Sequence, residues 1–161
     1  MEDLAVKIGE LLRRQGLTLG IVESATGGLL SHLVTSVPGS SDYYQGSVTS
    51  YSNEIKIKII GVKAATLEKY GSVSPQVAGE MAAGGRKLLD VDICLADTGI
   101  AGPGGVMPRK PVGLFYIGLA TKDGVSSRRY EFHGDRGENQ RSAAAAALGW
   151  LKECLEKPRN V

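Results

Sequence analysis

The sequence predicts an α/β fold: a three-layer α/β/α sandwich around a mixed, partly antiparallel sheet. Helical and strand periods alternate along the first hundred residues. The strand-length segments 17–23 (LTLGIVE) and 92–98 (DICLADT) carry apolar side chains toward both faces, as in a sheet covered by helices on each side. Two later segments are joined by the tight turn Lys122-Asp123-Gly124, which makes them an antiparallel hairpin.

The elements follow in order. Residues 3–15 place Leu4, Ile8, Leu11 and Leu12 at helical spacing, with Asp3 as the cap and Gly16 as the stop. Residues 17–23 read as a buried strand. From Thr26 the helical period returns through Leu29, Leu30, Leu33, Val34 and Val37, and Pro38-Gly39 ends it. A β-type stretch, 46–51, precedes a short helix, 53–60. Ser74 as N-cap and Pro75 at the first helical position start a helix running to about Leu89. Residues 92–98 form a second buried strand that ends in a glycine-rich loop. Residues 112–121 and 125–132 are the hairpin strands. A last helix over 137–156 sets Ala144, Leu148, Leu151 and Leu155 on one face.

A length of 161 residues suits a single domain over 1–161. No apolar run approaches the ~20 residues of a membrane span, so no membrane partner is expected. No charged start followed by an apolar stretch marks a secretory signal. Cys94 and Cys154 lack metal-ligand spacing and sit in apolar patterns, so buried free thiols and a reduced, cytoplasmic setting are expected. A net charge of +2 without a concentrated basic stripe argues against a nucleic-acid groove. No metal-ligand cluster is present, and no metal or cofactor is expected. Glycine supplies 22 of the 161 residues, about twice the usual ~7%. Many of these glycines gather in three loops, where a backbone-lined site can form.

The first loop is Glu23-Ser24-Ala25-Thr26-Gly27-Gly28, between a strand and a helix. A serine there either caps the helix or presents its hydroxyl near backbone N–H groups able to hold an oxyanion. Neither His32 nor His133 supports a serine–histidine triad; a lysine can take the base role instead, and it must then be largely neutral. Lys56 and Lys58, in Tyr51-Ser52-Asn53-Glu54-Ile55-Lys56-Ile57-Lys58, are about 200° apart on a helix, so one of them can face a site. The third segment, Thr98-Gly99-Ile100-Ala101-Gly102-Pro103-Gly104-Gly105, fits neither the dinucleotide nor the P-loop pattern. Its N–H groups can still hold a phosphate or a carboxylate. Arg136 and Arg141 open the last helix after Gly134-Asp135. Arginine is unfavourable at a helix N-terminus unless an anion or an ion-pair partner is near.

In this order and spacing, ESATGG (23–28), VTSYSNEIKIKIIGV (48–62), YGSVSP (70–75), TGIAGPGG (98–105), KPVG (110–113) and GDR (134–136) resemble the CinA C-terminal domain family of nicotinamide-nucleotide amidases. The resemblance spans roughly residues 4–156. It implies hydrolysis of the carboxamide of nicotinamide mononucleotide to nicotinate mononucleotide and ammonia, in pyridine-nucleotide recycling. Ser24 matches the family's nucleophile, Lys56 its lysine and Tyr51 a tyrosine at the site. The resemblance implies that N–H groups of Ala25, Thr26, Gly27 and Gly28 hold the oxyanion. Thr98, Gly99, Gly102, Arg136 and Arg141 then bind substrate, with Arg136 on the 5′-phosphate. Ala25 replaces the cysteine of the commoner ESCTGG form, and Thr98 stands where many relatives carry serine. Some members carry a fused N-terminal domain, and this sequence starts at the amidase region. A homo-oligomer is expected. The alternatives are a non-catalytic nucleotide-binding module linked to competence, and a hydrolase of other small amides or esters.

Overall fold

The strand segments pair into a five-stranded sheet among the described residues, in the order β2-β1-β3-β4-β5. They are β1 (Leu19–Glu23), β2 (Tyr44–Thr49), β3 (Ile93–Gly99), β4 (Leu114–Thr121) and β5 (Gly124–Glu131). A computed structural model describes residues 1–158. β1 runs parallel to both β2 and β3, while β4 and β5 are antiparallel to their predecessors. The sheet is therefore mixed, as the alternating periods and the hairpin predict.

Helices α1 (Glu2–Gln15) and α6 (Arg136–Glu156) cover one face. Ile8, Leu12, Leu148 and Leu151 meet Ile21, Leu95 and Ile117 there. Helix α5 (Pro75–Leu89) covers the other face and packs Val77, Met81 and Ala82 on Val22, Cys94, Ala96 and Ala120. Successive strand residues thus feed opposite cores, Ile21 one and Val22 the other. Each fully buried Leu, Ile or Val contributes about 1.5–3 kcal/mol. No helix among the described residues is long and apolar enough to cross a membrane.

Several boundaries differ from the sequence expectation. Met1 precedes α1 with no side-chain cap, and Asp3 lies inside the first turn, where its charge complements the helix dipole. Helix α2 (Leu29–Thr35) begins three residues later than Thr26, because residues 24–28 form a turn held by buried carboxylates. Helix α3 (Asn53–Ile55) passes into a π-helical stretch, Lys56–Ile60. Helix α4 (Ala64–Tyr70) is unforeseen. Its N-cap, Lys63, offers no side-chain cap, and the Lys63 N–H instead donates to Glu80 of α5. A start fixed by a tertiary partner leaves no local signal. Helix α6 begins at Arg136, one residue earlier than expected, behind a capping box of Asp135 and Glu138. Cys94 is buried, but Cys154 is only partly so, and both are free thiols.

One contact fixes the π-helical stretch against the sheet. A Cβ added at Gly84 of α5 would stand 2.1 Å from the Ile60 carbonyl oxygen, so only glycine lets the two backbones meet.

Candidate active site

Strand β1 sits between β2 and β3, so the chain leaves it toward one neighbour and later returns on its other side. In open α/β sheets the crevice at such a reversal, beyond the carboxyl ends of the strands, is where ligands bind. Ser24 follows β1 and Thr98 lies near the end of β3, and both line a cavity of about 600 Å³ at this place. That volume falls within the ~300–1,000 Å³ usual for small-molecule sites.

Lys56 reaches the cavity from the first residue of the π-helical stretch. The preceding α3 is started by Ser52, whose Oγ accepts the Ile55 N–H. The Lys56 side chain is only 2% exposed. Its Nζ lies 3.0 Å from Ser24 Oγ and donates to the carbonyls of Ser50 and Tyr51, each at 2.9 Å. Burial pushes the Lys56 ammonium below its ordinary 10.5, and the carboxylate of Asp97 pulls the other way. As an ammonium, Lys56 donates its three N–H groups to these two carbonyls and the Ser24 hydroxyl; deprotonated, it would keep the two carbonyl bonds and turn a lone pair to Ser24. Lys58, two residues on, is exposed.

The turn after β1 is tied down from below. Asp97 Oδ1 accepts the Ser24 N–H at 3.0 Å, and Oδ2 accepts the Thr26 N–H at 3.1 Å. Glu23 accepts the N–H groups of Leu30 and Ser31 at the start of α2. The Gly27 N–H donates to the Ser24 carbonyl. Of the four residues expected to hold an oxyanion, Thr26 and Gly27 therefore have no N–H to offer. Thr26, Gly27 and Gly28 lie outside the cavity lining. Ala25 is in the lining, and its N–H has no partner among the described residues. Gln140 Nε2 of α6 donates to the Ala25 carbonyl at 2.9 Å and pins the turn from above.

The other wall is the loop after β3. Thr98 Oγ1 donates to the Ser72 carbonyl at 2.7 Å. Gly99, Gly102 and the residues through Met107 line the cavity. Gly102, with φ of 91°, takes a left-handed conformation that a side chain would strain. Asn139 Nδ2 donates to the carbonyls of Ala101 and Gly134, which clamps this loop to the start of α6. Arg136 spans the rim: Nη1 donates to the Gly102 carbonyl at 2.8 Å and Nη2 to the Tyr51 hydroxyl at 3.2 Å. Tyr51 is 63% exposed, so its side chain is a rim group rather than part of the Ser24–Lys56 pair. Arg141 is exposed and outside the lining, since five residues along a helix carry it well round from Arg136. His32 and His133 are exposed and do not line the cavity.

The sequence reading assigned no role to Asp97, Glu23, Asn139 or Gln140. A carboxylate inside an otherwise apolar strand, as in Leu95-Ala96-Asp97, is the signal that points to the first. Among the described residues, no group of three or more His, Cys, Asp or Glu is arranged to hold a metal ion.

The fold is that of a three-layer α/β protein whose cavity at the switch point of the sheet pairs a serine with a lysine. The chain belongs to the CinA C-terminal domain family, whose model matches residues 1–155. A CinA-like protein of Thermotoga neapolitana is 47% identical over 157 residues, covering 98% of this chain and 38% of that relative. A CinA-like protein of Geotalea uraniireducens is 43% identical over 159 residues, covering 99% of this chain and 38% of the relative. The chain thus spans well under half the length of these relatives. Among solved structures, the competence/damage inducible protein CihA from Agrobacterium tumefaciens superposes with a TM-score of 0.93 at 34% identity, over 97% of this chain and 95% of that one. The competence damage-inducible protein A from Klebsiella pneumoniae superposes with a TM-score of 0.95 at 28% identity, over 98% of each.

Proposed function

We propose that this chain is an amidohydrolase that deamidates nicotinamide mononucleotide through a Ser24–Lys56 dyad. The observation that carries this reading is the buried Lys56 amine 3.0 Å from the Ser24 hydroxyl, held there by two backbone carbonyls. Burying an amine costs free energy, and binding a nucleotide alone requires neither a nucleophile nor a base, so the Ser24–Lys56 pairing favours an enzyme over a binding module.

The reaction runs in two halves. Neutral Lys56 accepts the Ser24 proton as Ser24 Oγ attacks the carboxamide carbon. The positively charged pyridinium ring draws electrons from that carbon and eases attack. The unpartnered Ala25 N–H, next to the nucleophile, donates to the oxygen that gains charge. One such donor is worth roughly 10²–10³ in rate. Lys56 then passes its proton to the amide nitrogen, the C–N bond breaks and ammonia leaves an acyl ester on Ser24. Water attacks the ester, Lys56 takes its proton and returns it to Ser24, and nicotinate mononucleotide is released. Arg136 has further N–H donors beyond the two used at the rim, and with the loop from Gly102 to Met107 it serves the 5′-phosphate. The homologous names concern competence and damage induction, and nothing in the cavity's chemistry requires that role.

The test is release of ammonia and nicotinate mononucleotide from nicotinamide mononucleotide by the purified chain. Turnover abolished by Ser24→Ala supports the reading. Nucleotide binding without turnover would favour a non-catalytic module, and turnover confined to simple amides would move the substrate elsewhere.

A further inference from the structure

Two carboxyl groups, Asp97 and Glu23, lie fully buried directly beneath the nucleophile turn. Neither lines the cavity, so neither touches substrate. Between them sits the Thr26 hydroxyl, 2.5 Å from Asp97 Oδ1 and 2.7 Å from Glu23 Oε1. A hydroxyl has one hydrogen to donate. It satisfies one carboxylate, and the contact to the second closes only when that carboxyl carries a hydrogen of its own. Burial pushes the Asp97 carboxyl up to about 6, so it carries such a hydrogen below that pH.

We propose that Asp97, linked through Thr26 to Glu23, is the positioning residue of the nucleophile turn. Its two oxygens hold the N–H groups on either side of Ala25. Ser24 and Thr26 are thereby fixed, and the intervening Ala25 N–H is left free for the oxygen of a reacting carbonyl. Glu23 anchors the same turn at its far end by taking the N–H groups of Leu30 and Ser31 in α2. This device removes the helix N-terminus from the site and replaces it with a single aimed donor beside the serine. It acts on the reaction only through Ser24 and Ala25. The inference rests on the reading of Ser24 as a nucleophile.

A fluorophosphonate that phosphonylates activated serines, with loss of fluoride, reports on that geometry without any assumption about the substrate. Labelling of the full chain is followed by intact mass and located by peptide mapping. Wild-type protein is labelled at Ser24, and Asp97→Asn is labelled about a hundredfold more slowly, because an amide cannot accept from both N–H groups and a displacement near 1 Å costs that much. Thr26→Val, which removes the bridging hydroxyl at nearly constant volume, also slows labelling, and Thr26→Ser restores it. The Val variant decides the matter if the Asn variant does not fold by circular dichroism. On nicotinamide mononucleotide the same variants lower kcat and leave KM unchanged, a split that a general loosening of the fold does not produce. Folded variants labelled at the wild-type rate overturn the positioning role and leave the dyad standing. A wild-type chain that is not labelled at Ser24 overturns the dyad and the positioning role together.

Discussion

Lys56→Met keeps the Lys56 stem out to Cε and deletes its amine. One group acting as general base or acid contributes about 10²–10⁴ to a rate, or roughly 3–5 kcal/mol of barrier. The Lys56 amine is the one basic atom within reach of Ser24 Oγ among the described residues, so the full factor is expected in kcat. The structural cost is smaller. The Ser50 and Tyr51 carbonyls lose their partner, which costs about 1–3 kcal/mol each at most. Relief from burying an amine offsets part of that. A domain with about 5–15 kcal/mol of stability therefore stays folded. The assay is coupled detection of ammonia, run on Lys56→Met, Ser24→Ala and the double variant. Residues that act as one unit are strongly non-additive, so the double variant should be no slower than Ser24→Ala alone. The pH profile gives a second handle. The free base is the active form, so kcat/KM of the wild type rises with pH through the Lys56 pKa. Burial sets that rise below the ordinary 10.5. A Lys56→Met variant within tenfold of wild type, or a double variant whose loss equals the product of the single losses, would refute the dyad.

Three other outcomes are expected. Arg136→Ala should raise KM for nicotinamide mononucleotide by about 10- to 100-fold while leaving KM for nicotinamide riboside unchanged, since a hydrogen bond to a charged group is worth ~1.5–3 kcal/mol; equal effects on both substrates would remove Arg136 from the phosphate. Asp97 has its folded pKa raised from 3.8 to about 6, so its protonated form contributes stability that is complete below about 3.8 and is lost as pH rises through about 6. In urea unfolding, the stability difference between wild type and Asp97→Asn should therefore shrink by up to about 3 kcal/mol from pH 4 to pH 7, and a pH-independent difference would contradict the raised value. Gly84→Ala should destabilise by about 1–3 kcal/mol and lower kcat, because the added methyl drives the Lys56–Ile60 stretch away from α5; thermal melting and the ammonia assay read the two effects separately.

The parts of the site legible in the sequence are those with local signals. Ser24 stands on a strand–glycine–helix junction, and Lys56 closes a capped turn, so each can be picked out by its neighbours. Asp97 has no such signal beyond its own charge, because its meaning comes from N–H groups 71–73 residues earlier. Helix α4 escaped for the same reason, since Glu80 supplies its start. Its glycines make the turn after β1 resemble a row of free N–H donors. The structure leaves fewer, because buried carboxylates take those of Ser24, Thr26, Leu30 and Ser31. Sequence periodicity reports which side chains are apolar, but says nothing about which backbone groups are already engaged.

The Gln140–Ala25 and Asn139–Ala101 bonds join the last helix to the turn after the first strand and to the loop after the third. A ribosome releases the chain from its N-terminus. Ser24 and Lys56 thus emerge before Asn139 and Gln140, the residues that clamp the two loops beside them. A chain cut short before residue 139 holds Ser24 and Lys56 without either clamp, so the proposed serine–lysine pair is fully framed only once α6 docks.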